Sequence, residues 1–188
     1  YRMFMIGNRI GVNYEPPEKT NFPIGSGKMP VYATVGSAIM DLMGKENQIP
    51  NHVPLAHKPI VAARYGYVKE GCKLNVDDLP PELAVATRRD SKTGKVSNYS
   101  HVYKRLDRNK PSTTMVPGHN AFPIHPILNR TLTAREAARI QTFPDTHIFF
   151  GTRQEQCIQV GNAVPPKMAE PFLKKIREYI ENSEEVTP

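Results

Sequence analysis

Apolar residues recur at helical spacing most clearly near the end of this chain, where Met168, Phe172, Leu173, Ile176 and Ile180 follow the pair Pro165 and Pro166. Proline fits the first turn of a helix, where no intrahelical partner waits for an N–H, so the pattern predicts a terminal helix opening on the pair. Just before it, the apolar run Cys157, Ile158 and Val160 leads into Gly161 and Asn162. That order predicts a strand and a tight turn, because Gly reaches unusual backbone angles and Asn tolerates them. Further back, Thr133 and Glu136 have the spacing of a capping box, in which each side chain satisfies the other's backbone amide. A helix over about 134–142 follows, with Leu132 and Ala137 as a weak hydrophobic staple and Pro144 barring continuation. Arg135 and Arg139 lie four apart on one face of it. By spacing alone they either solvate that face, pair with Glu136, or serve a ligand.

The rest of the chain is less regular. Residues 1–12 read as one apolar strand, 35–43 as an amphipathic helix, 65–68 and 102–106 as short strands, and 115–126 as a Pro/His-rich approach to the capped helix. The acidic end beyond Tyr179 should fray. Three parts result: 1–12, an irregular 13–129, and a regular 130–188. With 188 residues the chain holds one domain or slightly more. Its 18 prolines, against an average usage of about 5%, account for the irregular middle.

No apolar run approaches the roughly 20 residues needed to cross a bilayer, and the start does not resemble a signal peptide. Two cysteines suggest a reducing, cytoplasmic setting. Cys157 reads as a small buried side chain and Cys72, after Gly71, as part of a turn. The six histidines match no zinc spacing, so no metal is expected. Charge is more telling. Between positions 88 and 110 stand eight basic residues (Arg88, Arg89, Lys92, Lys95, Lys104, Arg105, Arg108, Lys110) against Asp90 and Asp107, in a chain of formal charge +7. Interleaved with Tyr99, His101 and Tyr103, such a window suits a surface that tracks phosphates, the alternative being a solvated loop.

The stretch from Arg130 through Thr133, Arg135, Glu136, Arg139 and Gln141 to Asp145, followed by Gln159-Val160-Gly161-Asn162-Ala163-Val164-Pro165-Pro166, resembles the last two signature blocks, IX and X, of DNA (cytosine-5) methyltransferases. Tyr1 to Gly7 is similar to the end of block VIII, with Arg2 as its surviving arginine. Features at 34–42, at Asn51-His52 and at 101–115 resemble bacterial type II modification methylases more loosely. The fold class this implies is α/β: the C-terminal part of an S-adenosylmethionine-dependent, Rossmann-like methyltransferase fold plus an irregular mixed target-recognition domain. In that reading 1–12 is an edge strand of the catalytic domain, 13–129 binds DNA, and 130–188 returns to the S-adenosylmethionine domain. A chain opening on Tyr in mid-strand reads as a fragment or processed product, with a start at Met3 as the alternative.

The resemblance also implies roles. Arg2 would donate to the carbonyl oxygen of a cytosine flipped out of double-stranded DNA, and Asn162 and Ala163 would line the S-adenosyl-L-methionine pocket. Thr114, before Met115, resembles a Thr-Leu pair whose threonine approaches the DNA backbone, a local turn hydroxyl being the alternative. Arg88, Arg89, Lys92, Lys95, Lys104 and Arg105 would contact DNA. Arg130 and Arg135 would join the two domains by phosphate contact or ion pairing. The family's nucleophile stands in a Pro-Cys pair, but Cys72 follows Gly71 and Cys157 follows Gln156; Glu46-Asn47 matches the Glu-Asn pair in letters only. The isolated chain should therefore be inactive, needing an N-terminal catalytic portion from the same enzyme or a separate subunit. The expected setting is cytoplasmic, at the nucleoid, without a membrane. A non-catalytic basic nucleic-acid-binding module is the competing class.

Overall fold

The structure is a computed structural model that describes residues 5–9, 11, 13–23, 25–85, 103–116 and 122–184, without the side chains of 183 and 184. The chain divides into two compact units, Ala33–Ala163 and a second made of Tyr1–Tyr32 with Val164–Pro188. Among the described residues the regular elements are helices: α1 (Val35–Ile39), α2 (Pro59–Gly66), α3 (Ala134–Ile140), α4 (Arg153–Asn162) and α5 (Pro166–Glu184), with single 3-10 turns between them. Among the described residues extended pairing is limited to isolated bridges. The sheet-edge pieces expected of an α/β chain are not seen among the described residues.

The larger unit is built on α1, α3 and α4. Thr34 and Ser37 close a capping box on α1, which continues as a 3-10 turn over Met40–Leu42, so the helix expected over 35–43 changes pitch midway. The first amides of α1 dock on a turn, Val35 N donating to Lys110 O (2.9 Å) and Gly36 N to Arg108 O (2.8 Å). Gly36 has no space for a side chain there: a Cβ would stand 2.7 Å from Arg108 O. Val35, Ile39 and Leu42 pack with Leu106, Met115, Phe122, Leu132, Phe149 and the α3 alanines Ala134, Ala137 and Ala138. Those alanines let the backbone of α3 come close to its neighbours, and Cys157 and Val160 of α4 complete the cluster. A second cluster joins Tyr65 and Val68 to Leu74 and Ile124. Ile124 bridges on both sides, to Arg105 and to Thr131, while Lys104 bridges Lys73.

The capping box at Thr133 and Glu136 forms as its spacing predicts, and α3 ends two residues before the expected limit. Other expectations are corrected. The strand expected at 157–160 is the body of α4, because Thr152 and Glu155 close a capping box that starts a helix at Arg153. Its buried residues, Cys157, Val160 and Gly161, are three and four apart, the helical period. The strand expected at 65–68 is the end of α2, a helix opened by Pro59 and burying Tyr65. Of the strand expected at 102–106, the described residues 103–106 show single bridges at Lys104 and Arg105. Residues 5–9 and 11 form no strand, and Met5 is 90% exposed.

In the second unit α5 opens on the proline pair, Pro165 O accepting from Met168 N (2.9 Å) and Ala169 N (3.0 Å). It runs past Tyr179 to Glu184, where fraying was expected. Its surface carries i,i+4 pairs, Glu170 with Lys174 and Arg177 with Glu181. Tyr14 packs on Tyr179 at 5.7 Å between ring centroids. The two tyrosines help line a cavity of about 210 Å³ with Ile6, Ile176 and Ile180.

Candidate functional site

The capped end of α3 is the electrostatic centre of the larger unit. Glu136 is fully buried; its Oε2 accepts from Thr133 N (2.8 Å) and from Arg130 NH1 (2.8 Å), and its Oε1 from Arg130 NH2 (2.8 Å). Burial alone would raise this carboxyl, but the paired hydrogen bonds and charge of Arg130 and the Thr133 amide outweigh it and hold it below the ordinary carboxylate range. Glu46 adds a third contact to Arg130 at 3.3 Å. Thr133 Oγ1 accepts from Glu136 N and stands 2.9 Å from His52 Nδ1, whose Nε2 is 3.0 Å from Leu42 O. A carbonyl only accepts, so the His52 proton sits on Nε2, and the Thr133 hydroxyl donates to Nδ1.

Behind Glu136 lies His125, also fully buried. Its Nδ1 accepts from the amides of Ile127 and Leu128, both at 3.1 Å, which places the ring proton on Nε2. Nε2 is 3.8 Å from Glu136 Oε1, too far for a hydrogen bond, and has no other partner. Burial pushes the His125 pKa down to about 4, against the opposing pull of Glu136, so at neutral pH the contact is not an ion pair.

Two further arginines are structural. Arg105, 5% exposed, places all five donors: Nε on Val68 O, NH1 on His125 O and Leu128 O, NH2 on Tyr65 O and Asn129 Oδ1. Arg135, with no exposed surface, gives Nε to Pro50 O, NH1 to Pro144 O, and NH2 to His147 O and Asn51 Oδ1. The DNA contact expected of Arg105 and Arg135 is therefore corrected: neither guanidinium reaches the surface, and each is occupied by the chain's own acceptors. Arg130, its side chain 11% exposed, is engaged by two carboxylates. Arg139 bridges Asp145 and Asp41.

Among the other residues singled out in the sequence, Lys104 is half-buried and Thr114 exposed. Arg108 and Lys110 are exposed but paired with Glu70 (2.8 Å) and Asp107 (2.9 Å). Arg2, Arg88, Arg89, Lys92, Lys95, Tyr99, His101 and His119 lie outside the described residues. Asn162 closes α4 with its side chain exposed, and Ala163 follows as the extended C-cap. Neither cysteine is placed as an activated nucleophile: Cys157 is 4% exposed with burial pushing its thiol up, and Cys72 stands in an exposed loop after Gly71. The residue that sequence reasoning passed over is Gln141. It is 5% exposed and donates through Nε2 to Val160 O, linking the end of α3 to the last turn of α4.

The comparisons with known proteins agree with one another. The family profile for C-5 cytosine-specific DNA methylases matches residues 1–178. The chain is 36% identical over 140 residues to the type II methyltransferase M.DdeI of Desulfomicrobium norvegicum, covering 70% of this chain and 33% of that protein. It is 30% identical over 179 residues to M.NgoFVII of Neisseria gonorrhoeae, covering 93% and 44%. It is 36% identical over 148 residues to M.AquIB of Picosynechococcus, another type II methyltransferase, covering 72% of this chain and 93% of that one. The chain thus spans a third of M.DdeI and less than half of M.NgoFVII.

Proposed function

Because this chain belongs to the C-5 cytosine-specific DNA methylase family, we propose that it is the target-recognising and site-completing part of a DNA cytosine-5 methyltransferase. The carrying observation is that the family match runs through 178 residues while neither of their cysteines stands in a Pro-Cys pair, Cys72 following Gly71 and Cys157 following Gln156. A reaction that activates cytosine through a thiolate then takes its nucleophile from an N-terminal portion, in the same enzyme or as a separate subunit.

In this reading residues 1–12 and 130–188 complete the cofactor site and 13–129 carry DNA recognition, the boundary at 129/130 falling inside the unit Ala33–Ala163, whose core joins α1 to α3 and α4. S-adenosylmethionine, when bound, supplies the methyl group. Asn162 and Ala163 hold part of it. Arg2 donates to the carbonyl oxygen of the flipped cytosine, its fixed fork of donors never losing charge. Lys104, with Arg88, Arg89, Lys92 and Lys95, meets phosphates, and Thr114 approaches the backbone near the target base. Arg130 and Arg135 act on DNA only through the framework they hold.

The test is transfer of tritiated methyl groups to double-stranded DNA by the chain alone and by the chain with a matching N-terminal portion. Incorporation is expected only from the pair. Activity of the chain alone would overturn the division of labour, and silence after confirmed assembly would overturn the methyltransferase reading.

A further inference from the structure

A helix that ends in front of prolines has fewer amides with which to close its last turn. In α4 the carbonyls of Gly161 and Asn162 would look four residues ahead for amides, to Pro165 and Pro166, which have none. Val160 O is reached by Ala163 N at a long 3.3 Å. A second donor at this end comes from outside the helix, Gln141 Nε2 on Val160 O.

How Gln141 gets there is unusual. It is the C-cap of α3, its own amide donating to Ala137 O (3.1 Å). The next residue, Thr142, has φ +67°. That is a rare conformation for a β-branched residue, costing of order 1–3 kcal/mol and persisting only where surrounding contacts impose it. Here they do: Thr142 N donates to Arg139 O, Phe143 N to Ala138 O, Arg139 grips Asp145, and Arg135 NH1 holds Pro144 O. The chain leaves α3 by a strained turn, and the side chain at its start lies buried against the last turn of α4. Gln141 Oε1 is buried without a hydrogen-bond partner among the described residues.

We infer that Gln141 is a positioning residue for the cofactor: by capping Val160 from outside the helix, it fixes the orientation in which Gly161, Asn162 and Ala163 are presented. The inference rests on the reading of Asn162 and Ala163 as cofactor contacts. It assigns Gln141 no contact with cytosine or with the methyl group.

Three variants in the complete enzyme, this chain with its N-terminal portion, test it. Gln141→Met keeps an apolar-packing volume and removes the donor. It should raise the KM for S-adenosylmethionine by about three- to tenfold, the equivalent of one lost hydrogen bond, leaving kcat and the KM for DNA within about twofold. Gln141→Glu can donate to Val160 O only when protonated, so its KM for S-adenosylmethionine should recover as pH falls, while that of Gln141→Met should not. Asn162→Ala serves as the reference. If Asn162→Ala leaves the cofactor KM unchanged, the cofactor reading fails and the inference with it. If Asn162→Ala raises that KM and Gln141→Met does not, the inference alone fails. Equal rises in both KM values with a lower melting temperature would show a merely structural residue and would also overturn it. In the chain by itself, Gln141→Met should speed hydrogen exchange at the Ala163 amide ahead of the α3 amides; uniform acceleration would count against the proposal.

Discussion

Acidification should loosen the larger unit well before its carboxylates protonate, and His125 is the reason. In the folded chain its pKa is pushed down to about 4 from an ordinary 6.5, because burial of a charged imidazole, with Arg130 and Arg105 near it, outweighs the pull of Glu136 at 3.8 Å and of Glu46. The unfolded chain therefore binds one proton more than the folded chain between those values, and stability falls as pH falls through that window. At about 1.4 kcal/mol for each pH unit of separation, the loss from pH 7 to pH 4 is about 3 kcal/mol. That is a large share of the roughly 5–15 kcal/mol that holds a domain together. His57 works in the same direction, its pKa lowered first by burial and then by Arg153 and Arg130. Glu136, Glu46 and Asp145 are held low, so they add their own loss only below the ordinary carboxylate range.

His125→Asn separates these contributions. Asparagine Oδ1 occupies nearly the position of Nδ1 and accepts from the same two amides, Ile127 and Leu128, so the turn survives without a titrating ring. At pH 7 the variant should be less stable by about 1–3 kcal/mol, for the volume removed from the core. Urea unfolding of the chain at fixed ionic strength, in steps from pH 7.5 to 4.5, should then give a flatter line for the variant, the two lines converging toward acid. Parallel lines would refute the argument, for they would mean that His125 is already charged in the folded state or is reached by water.

Arg105→Lys should destabilise the larger unit by about 3–5 kcal/mol in denaturant unfolding. An ammonium cannot span the five acceptors that the guanidinium fork holds, and it leaves buried carbonyls such as Val68 O and Tyr65 O unpaired. Gly36→Ala should lower the melting temperature through a loss of about 1–3 kcal/mol, because the new methyl group would stand 2.7 Å from the backbone oxygen of Arg108.

How much of this was legible in the sequence depends on how local each cause is. The α3 cap needs only Thr133 and Glu136, three residues apart, and it forms as that spacing dictates. The proline pair sets the start of α5 in the same way. The body of α4 was misread because three apolar residues in four fit strand and helix alike. The deciding signal, Thr152 with Glu155, is an equally local capping box just upstream. By contrast, Tyr65, Val68, His125, Leu128 and Asn129 become acceptors for Arg105 only when segments far apart in sequence converge. No short window contains that information. Gln141 is of the same kind, since its partner lies 19 residues away.

The misplaced arginines share a physical cause with the prolines. Each of the 18 prolines contributes a carbonyl to the chain without an amide, and the described residues have no extended ladders to use those carbonyls. Buried oxygens must then find side-chain donors, and arginine supplies five on one rigid plane. Arg135 accordingly holds Pro50 O and Pro144 O, and Arg105 closes the acceptors around Ile124. A positive charge spent inside the fold is not available to a ligand, so the formal +7 overstates the charge that the surface can offer. Of the basic window, Arg105 is interior, and Arg108 and Lys110 are paired at the surface. In the proposed reading, Lys104 and the four residues Arg88, Arg89, Lys92 and Lys95 are left to make the window's phosphate contacts. The salt dependence of DNA binding should follow that smaller set, with a slope of about −0.9 for each phosphate neutralised, and not the whole run of positive charge.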